Sequence, residues 1–197
     1  MALHTETYLN ILKRWCALVG IEYADLLSNE SELFTQFGQG RLRKIWFETD
    51  WPDTINVSEE LLVDQTFTVG ASVANIFGIY ESNPFSTVST SFDSYRYRRM
   101  QDSLYVYGTD VPDYVYMRYK ERPGAFATAT DTVPYRFAEY IAYGAAADYM
   151  RVEQNGDSAN TFEGTANQKL LDELEIHERD EHANQWDVGV QVYRPSL

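Results

Sequence analysis

Apolar residues change their spacing twice along this chain, and that change restricts the fold more than any other feature. Across residues 56–126 they recur at every second position, whereas before and after they recur at every third or fourth. A chain that moves from a helical period to a strand period and back must place a strand-forming region between two helical ones. The reading is an α+β fold: a helical bundle of about four helices with an inserted antiparallel β-region and an extended C-terminal tail. Residues 1–53 and 130–186 form the discontinuous bundle, residues 54–129 the inserted β-domain, and residues 187–197 the tail.

The first helix is expected to start at Thr5 or Thr7 and to carry Leu9, Leu12, Cys16 and Val19 before ending near Gly20. Ser28 or Asn29 with Glu32 resembles a capping box. It opens a second helix through Leu33, Phe37, Leu42, Ile45 and Trp46, stopped by Trp51-Pro52-Asp53. This helix holds the densest basic cluster of the chain, Arg41, Arg43 and Lys44, residues that need acids in this chain or on a neighbour.

In the β-region, period-two stretches centre on Leu61-Leu62-Val63, Thr66-Phe67-Thr68-Val69 and Ile76 to Tyr80. Others are Tyr95 to Arg98, Leu104 to Tyr107 and Tyr114 to Tyr119. Turn residues separate them at Asn83-Pro84, Gln101-Asp102-Ser103 and Gly108 to Asp113. Tyrosine dominates these strands. Arg122-Pro123-Gly124 closes the region, and residues 127–131 form a small-residue linker.

Val133-Pro134 is expected to open a third helix, in which Phe137, Ile141, Ala145 and Met150 share a face. The run Gly144-Ala145-Ala146-Ala147 lacks bulk, so a neighbouring helix can approach closely there. After Asn155-Gly156, Asp157 or Ser158 caps a fourth helix with Phe162, Ala166, Leu170 and Leu174 at four-residue spacing. Its apolar stripe then thins to Ile176. From Glu153 to Asp187 ten acids face only Lys169 and Arg179. A helix that begins apolar and ends polar all round is expected to leave its own unit for a partner or for solvent. Val188, Val190 and Val192 then alternate with smaller or polar residues, which reads as an extended segment available to another subunit, or as a disordered terminus.

Composition narrows the function classes. The formal charge of −14 opposes both a duplex-gripping surface and docking on anionic lipid. Cys16 is the only cysteine, which excludes an intrachain disulfide and a multi-cysteine zinc site. The N-terminal residues lack a basic stretch followed by an apolar one, and no run reaches membrane-spanning length, so a cytoplasmically made, soluble protein is expected.

The search for chemistry is negative. No phosphate loop, dinucleotide fingerprint or nucleophile elbow occurs, and Phe37-Gly38-Gln39-Gly40-Arg41 reads as a helix kink. Glu173, His177 and Glu181 share a helical face that could hold a metal, but the E-x-x-H pattern of carboxylate-bridged sites is absent and solvated charge is the expected reading. No enzyme activity, cofactor or metal is expected.

Two stretches carry a family resemblance. One is Asp113-Tyr114-Val115-Tyr116-Met117-Arg118-Tyr119-Lys120. The other is Val133-Pro134-Tyr135-Arg136-Phe137-Ala138-Glu139-Tyr140, followed by Ala145-Ala146-Ala147-Asp148-Tyr149-Met150-Arg151. Together with Ile45-Trp46-Phe47, the arrangement resembles the head–tail adaptor (neck, or tail tubular) proteins of tailed bacteriophages. The resemblance implies a virion protein that forms a ring, commonly of twelve copies, below the portal. It would join the portal to a tail or nozzle protein and line the channel for passing double-stranded DNA without reading its sequence.

In such adaptors the last helix and tail typically engage the portal. Ile176, Trp186, Val188, Val190, Val192, Tyr193 and Leu197, with the basic patch Arg41, Arg43 and Lys44, are therefore the expected portal or inter-subunit contacts. Glu173, Glu175 and Glu178 are the acids expected near a lumen or portal contact. A stopper or tail-terminator role, and a carbohydrate- or host-surface-binding β-module with helical oligomerisation, remain open beside it.

Overall fold

The computed structural model describes residues 4–85 and 94–190, with side chains described through residue 179. The described residues form β1 (Thr5–Thr7), α1 (Tyr8–Val19), α2 (Ser28–Trp46), β2 (Ile55–Leu61), β3 (Thr66–Thr68) and β4 (Val73–Tyr80). There follow β5 (Ser94–Met100), β6 (Ser103–Tyr107), β7 (Tyr114–Glu121), β8 (Thr132–Pro134), α3 (Ala138–Val152) and α4 (Gly156–Val190).

The expected fold class is thereby corrected. The architecture is mixed, with eight strands beside four helices, and six of the strands make one curled antiparallel sheet, a half-barrel, in place of a β-insert on a helical bundle. Two of the remaining strands lie where caps were expected: β1 pairs with β8, Thr5 opposite Pro134 and Thr7 opposite Thr132. Val133-Pro134 thus ends a strand, and α3 begins only after a 3-10 turn at Tyr135–Phe137. The extended tail is corrected over residues 187–190, because α4 stays helical through Val190, and residues 191–197 lie outside the described residues. No proline interrupts residues 156–190.

The chain divides into two compact units, Met1–Thr49 with Gly124–Leu197, and Asp50–Pro123. In the first, α1 buries Tyr8, Ile11, Leu12, Trp15 and Cys16 along one face at helical spacing. Thr7 caps its start by accepting a hydrogen bond from the Asn10 N–H at 3.3 Å. Gly20, at φ +79°, ends it in the left-handed conformation that glycine adopts without a Cβ clash.

Helix α2 is capped at Leu27, one residue before the expected cap at Ser28. Glu30 accepts the Leu27 N–H at 3.0 Å, doing the work expected of Glu32. Helix α3 lies at the centre of the unit. It packs against α1, α2 and α4 and buries residues on every side, which its run of Gly144 and three alanines permits.

Aromatic rings fill the space between α1, α2 and α3. Trp15 lies edge-on to Tyr149 at 5.2 Å and tilted against Phe34 at 5.3 Å. Phe126 is fully buried against Tyr8 at 5.0 Å and Phe34 at 6.2 Å, although it precedes the segment read as a small-residue linker. That segment is itself fastened. Asp131 accepts the N–H groups of Ala127 and Thr128, both at 2.8 Å, which lowers its pKa, and its carbonyl accepts the Tyr8 N–H.

In the second unit the strand order is β2-β7-β4-β5-β6-β3, antiparallel throughout. Strands β2 and β3 are consecutive in the chain yet lie at opposite edges of the sheet. Asp64 and Gln65, at φ +50° and +60°, give the turn between them the backbone of a two-residue hairpin. Joining the edges so closely makes the sheet curl. Register shifts in β4 between Val73 and Asn75 and between Ile76 and Gly78 add bend. Phe67, Val69, Val73, Ile79, Leu104, Val106, Val115 and Met117 form the core inside the curl. Strands β4 and β5 pair only at Ile79–Tyr95 and Tyr80–Ser94, and the Tyr97 hydroxyl donates to the Ile76 carbonyl at 3.1 Å where that pairing stops.

Candidate functional site

The most concentrated chemistry in the helical unit is a set of four charges. Arg41 projects from α2 across Gly144 of α3. A Cβ at position 144 would lie 2.7 Å from the arginine Cδ, so glycine is what lets this side chain pass. Its guanidinium donates to Asp148 through Nε (2.8 Å) and Nη2 (2.7 Å), and to Glu163 through Nη1 (2.9 Å) and Nη2 (2.6 Å). Arg151 reaches the same two carboxylates at 2.6 and 3.1 Å. Asp148 and Arg151 lie on α3 and Glu163 on α4, so the network ties three helices together.

Such bidentate, charge-assisted pairs offset the desolvation of a buried guanidinium. Burial opposes the charge on Arg41, yet the hydrogen bonds it donates to Asp148 and Glu163 outweigh that and raise its pKa. With four donors directed at carboxylates, this constellation anchors helices and carries no free nucleophile or base.

Glu163 gives the network a pH signature. The hydrogen bonds from Arg41 hold its carboxyl at about 2, with burial opposing and Arg151 assisting. A carboxyl whose folded pKa lies below the unfolded one stabilises fully above the unfolded value and loses that contribution as pH falls through the folded one. Stability should therefore decline between the ordinary carboxyl range near 4.5 and about 2. Acid titration followed by helical ellipticity checks this. Glu163→Gln should flatten that part of the curve, and a variant curve that superimposes on wild type would remove Glu163 from the account.

The residues singled out from the sequence are distributed unevenly. Arg41 is 8% exposed and engaged within the chain, while Arg43 and Lys44, two and three positions on, are exposed. On α4, Glu175 and Glu178 are exposed, Glu173 is half-buried, and Ile176 is 39% exposed. His177 is buried at 6%, where solvated charge was the expected reading of its face. It continues the buried line Ala159, Ala166, Leu170 at helical spacing, whereas Ile176 falls about 100° away from it. Trp186, Val188 and Val190 lie on the helical backbone of α4, beyond the described side chains, and Val192, Tyr193 and Leu197 lie outside the described residues. Among the described residues, no three histidine, cysteine or acidic side chains come together as a metal site.

The β-unit adds features that the sequence did not single out. Lys120 on β7 is buried, with its ammonium 3.6 Å from Asp50. Burial lowers its pKa and the carboxylate works the other way. On β5 and β6, Tyr95, Arg96, Tyr97 and Tyr107 line an open groove of about 570 Å³. Strand alternation could have shown beforehand that Arg96 and Arg98 share one face of β5, opposite to Tyr95 and Tyr97.

No family model matches the chain, and no curated protein is significantly similar to it. Among the described residues no helix is long and apolar enough to cross a membrane.

Proposed function

We propose that this protein is a ring-forming head-to-tail adaptor of a tailed bacteriophage, a non-catalytic virion component that docks on a portal and joins it to the tail around the DNA channel. The observation that carries this reading is the mismatch between the last two helices. Helix α3 has 15 residues and α4 has 35, about 22 Å against about 52 Å. An antiparallel partner less than half as long leaves the far end of α4 uncovered by α3, and that end bears Ile176, Glu175 and Glu178 on its surface. A protruding helix that is solvent-compatible yet long suits insertion against a neighbouring ring. The acids of this end, Glu173, Glu175 and Glu178, belong at the lumen or at a subunit contact, where negative walls keep DNA from adhering.

The test is sizing of the full-length protein by mass photometry, alone and mixed with portal rings. A closed ring that binds portal, and that loses portal binding when residues 180–197 are deleted, is the expected result. A chain that stays monomeric beside portal rings overturns the reading. The tyrosine-lined groove favours one second reading, a carbohydrate-binding β-module. Retention on a glycan array that survives the same deletion would support it.

A further inference from the structure

Alternation along β5 places Arg96 and Arg98 on the face opposite the buried core. The register sets Arg96 beside Tyr107 and Arg98 beside Tyr105. Both arginines are exposed, Tyr107 is 46% exposed, and the two tyrosine rings meet edge-on at 4.9 Å. The only acid between residues 94 and 107 is Asp102, at the hairpin turn. Among the described residues neither Arg96 nor Arg98 has an ion-pair partner. In a chain of net charge −14, two neighbouring arginines on a tyrosine surface without a counter-charge among the described residues stand out.

The complementary surface lies on α4. Away from its buried line, Asp172, Glu175 and Glu178 follow at three-residue spacing and are exposed, with the half-buried Lys169 one step before them and Arg179 beside Glu178. Three-residue steps on a helix spread these acids over an arc of about 120°, each about 4.5 Å further along the axis. Arg96 and Arg98 are about 6.7 Å apart along their strand. Two acids can therefore meet two arginines without either backbone deforming.

We propose that the outer face of the β5–β6 hairpin, Arg96 and Arg98 with Tyr105 and Tyr107, docks the outer acidic face of α4 from a second copy of this chain. This rests on the ring-forming reading above and names the surfaces that join neighbouring subunits. The two patches differ, so the contact is heterologous, the kind that repeats around a ring. Arginine and tyrosine are the residues that interfaces enrich. A nucleic acid is the poorer occupant, because the chain as a whole repels a polyanion and two arginines neutralise few phosphates.

The test uses the full-length chain in sedimentation velocity at low and high salt, about 50 and about 500 mM. Arg96→Glu with Arg98→Glu should weaken self-association at least about tenfold at low salt, as should Asp172→Lys with Glu175→Lys and Glu178→Lys. An equimolar mixture of the two variants should associate again, which also shows that both are folded. Wild type that assembles while either set of reversals changes nothing, or variants that fail to restore each other, overturns this docking and leaves the ring reading intact. Variants that assemble normally but lose retention of duplex DNA also overturn it, in favour of a nucleic-acid surface. A wild type that is monomeric at every concentration sinks both.

Discussion

Arg41→Ala should destabilise the helical unit by about 3–5 kcal/mol, the cost of removing one partner from a buried ion pair. The variant leaves Asp148 and Glu163 facing each other at side-chain exposures of 25% and 22%, with only the half-exposed Arg151 to neutralise them. Urea unfolding followed by far-UV ellipticity measures this directly. A loss below about 1 kcal/mol would place the network among solvent-screened surface pairs. Gly144→Ala supplies the control. In the wild-type background its Cβ overlaps the Arg41 side chain, which four hydrogen bonds prevent from moving aside, so a cost of about 1–3 kcal/mol is expected. In the Arg41→Ala background the overlap is gone and the cost should nearly vanish. Strict additivity would mean that position 144 acts through something other than Arg41.

Phe126→Ala should cost a comparable amount, about 3–5 kcal/mol, by leaving a cavity among rigid neighbours. The ring is fully buried between Tyr8 and Phe34, and a Cβ on Gly38 would already stand 3.2 Å from it, so the surroundings are close-packed. The adjoining backbone is held by Gln39, which accepts the Phe126 N–H at 2.7 Å and donates to the Gly124 carbonyl at 3.3 Å. These bonds prevent the segment from collapsing into the void. Phe126→Leu should lose less than half as much. If Phe126→Ala unfolds at the same urea concentration as wild type, the residue has no structural role worth the name.

What the sequence made legible follows from what is local. Helix α1 could be read because its buried residues, its Thr7 cap and its Gly20 stop all lie within fourteen residues. The β5–β6 hairpin could be read because the turn residues and flanking tyrosines are contiguous. The pairing of β1 with β8 could not, since three-residue strands are too short to show a period, and threonine and proline there imitate helix starts. The alternation of Val188 and Val190 misled for the opposite reason. Two valines two apart signal a strand only if the preceding helix ends, and α4 includes both of them. The partners of Arg41 lie 107 and 122 positions away, beyond any spacing rule, so the sequence showed a base needing acids without showing which ones.

The pairing of Ile55 with Lys120 has an evolutionary consequence. It puts the first and last strands of the β-unit side by side, so the chain enters and departs through one doorway about 5 Å wide. A segment attached in that manner can be lengthened, trimmed or traded between genomes by recombination at two adjacent junctions, with no re-threading of what lies on either side. Lineages that share the helices need not share the sheet.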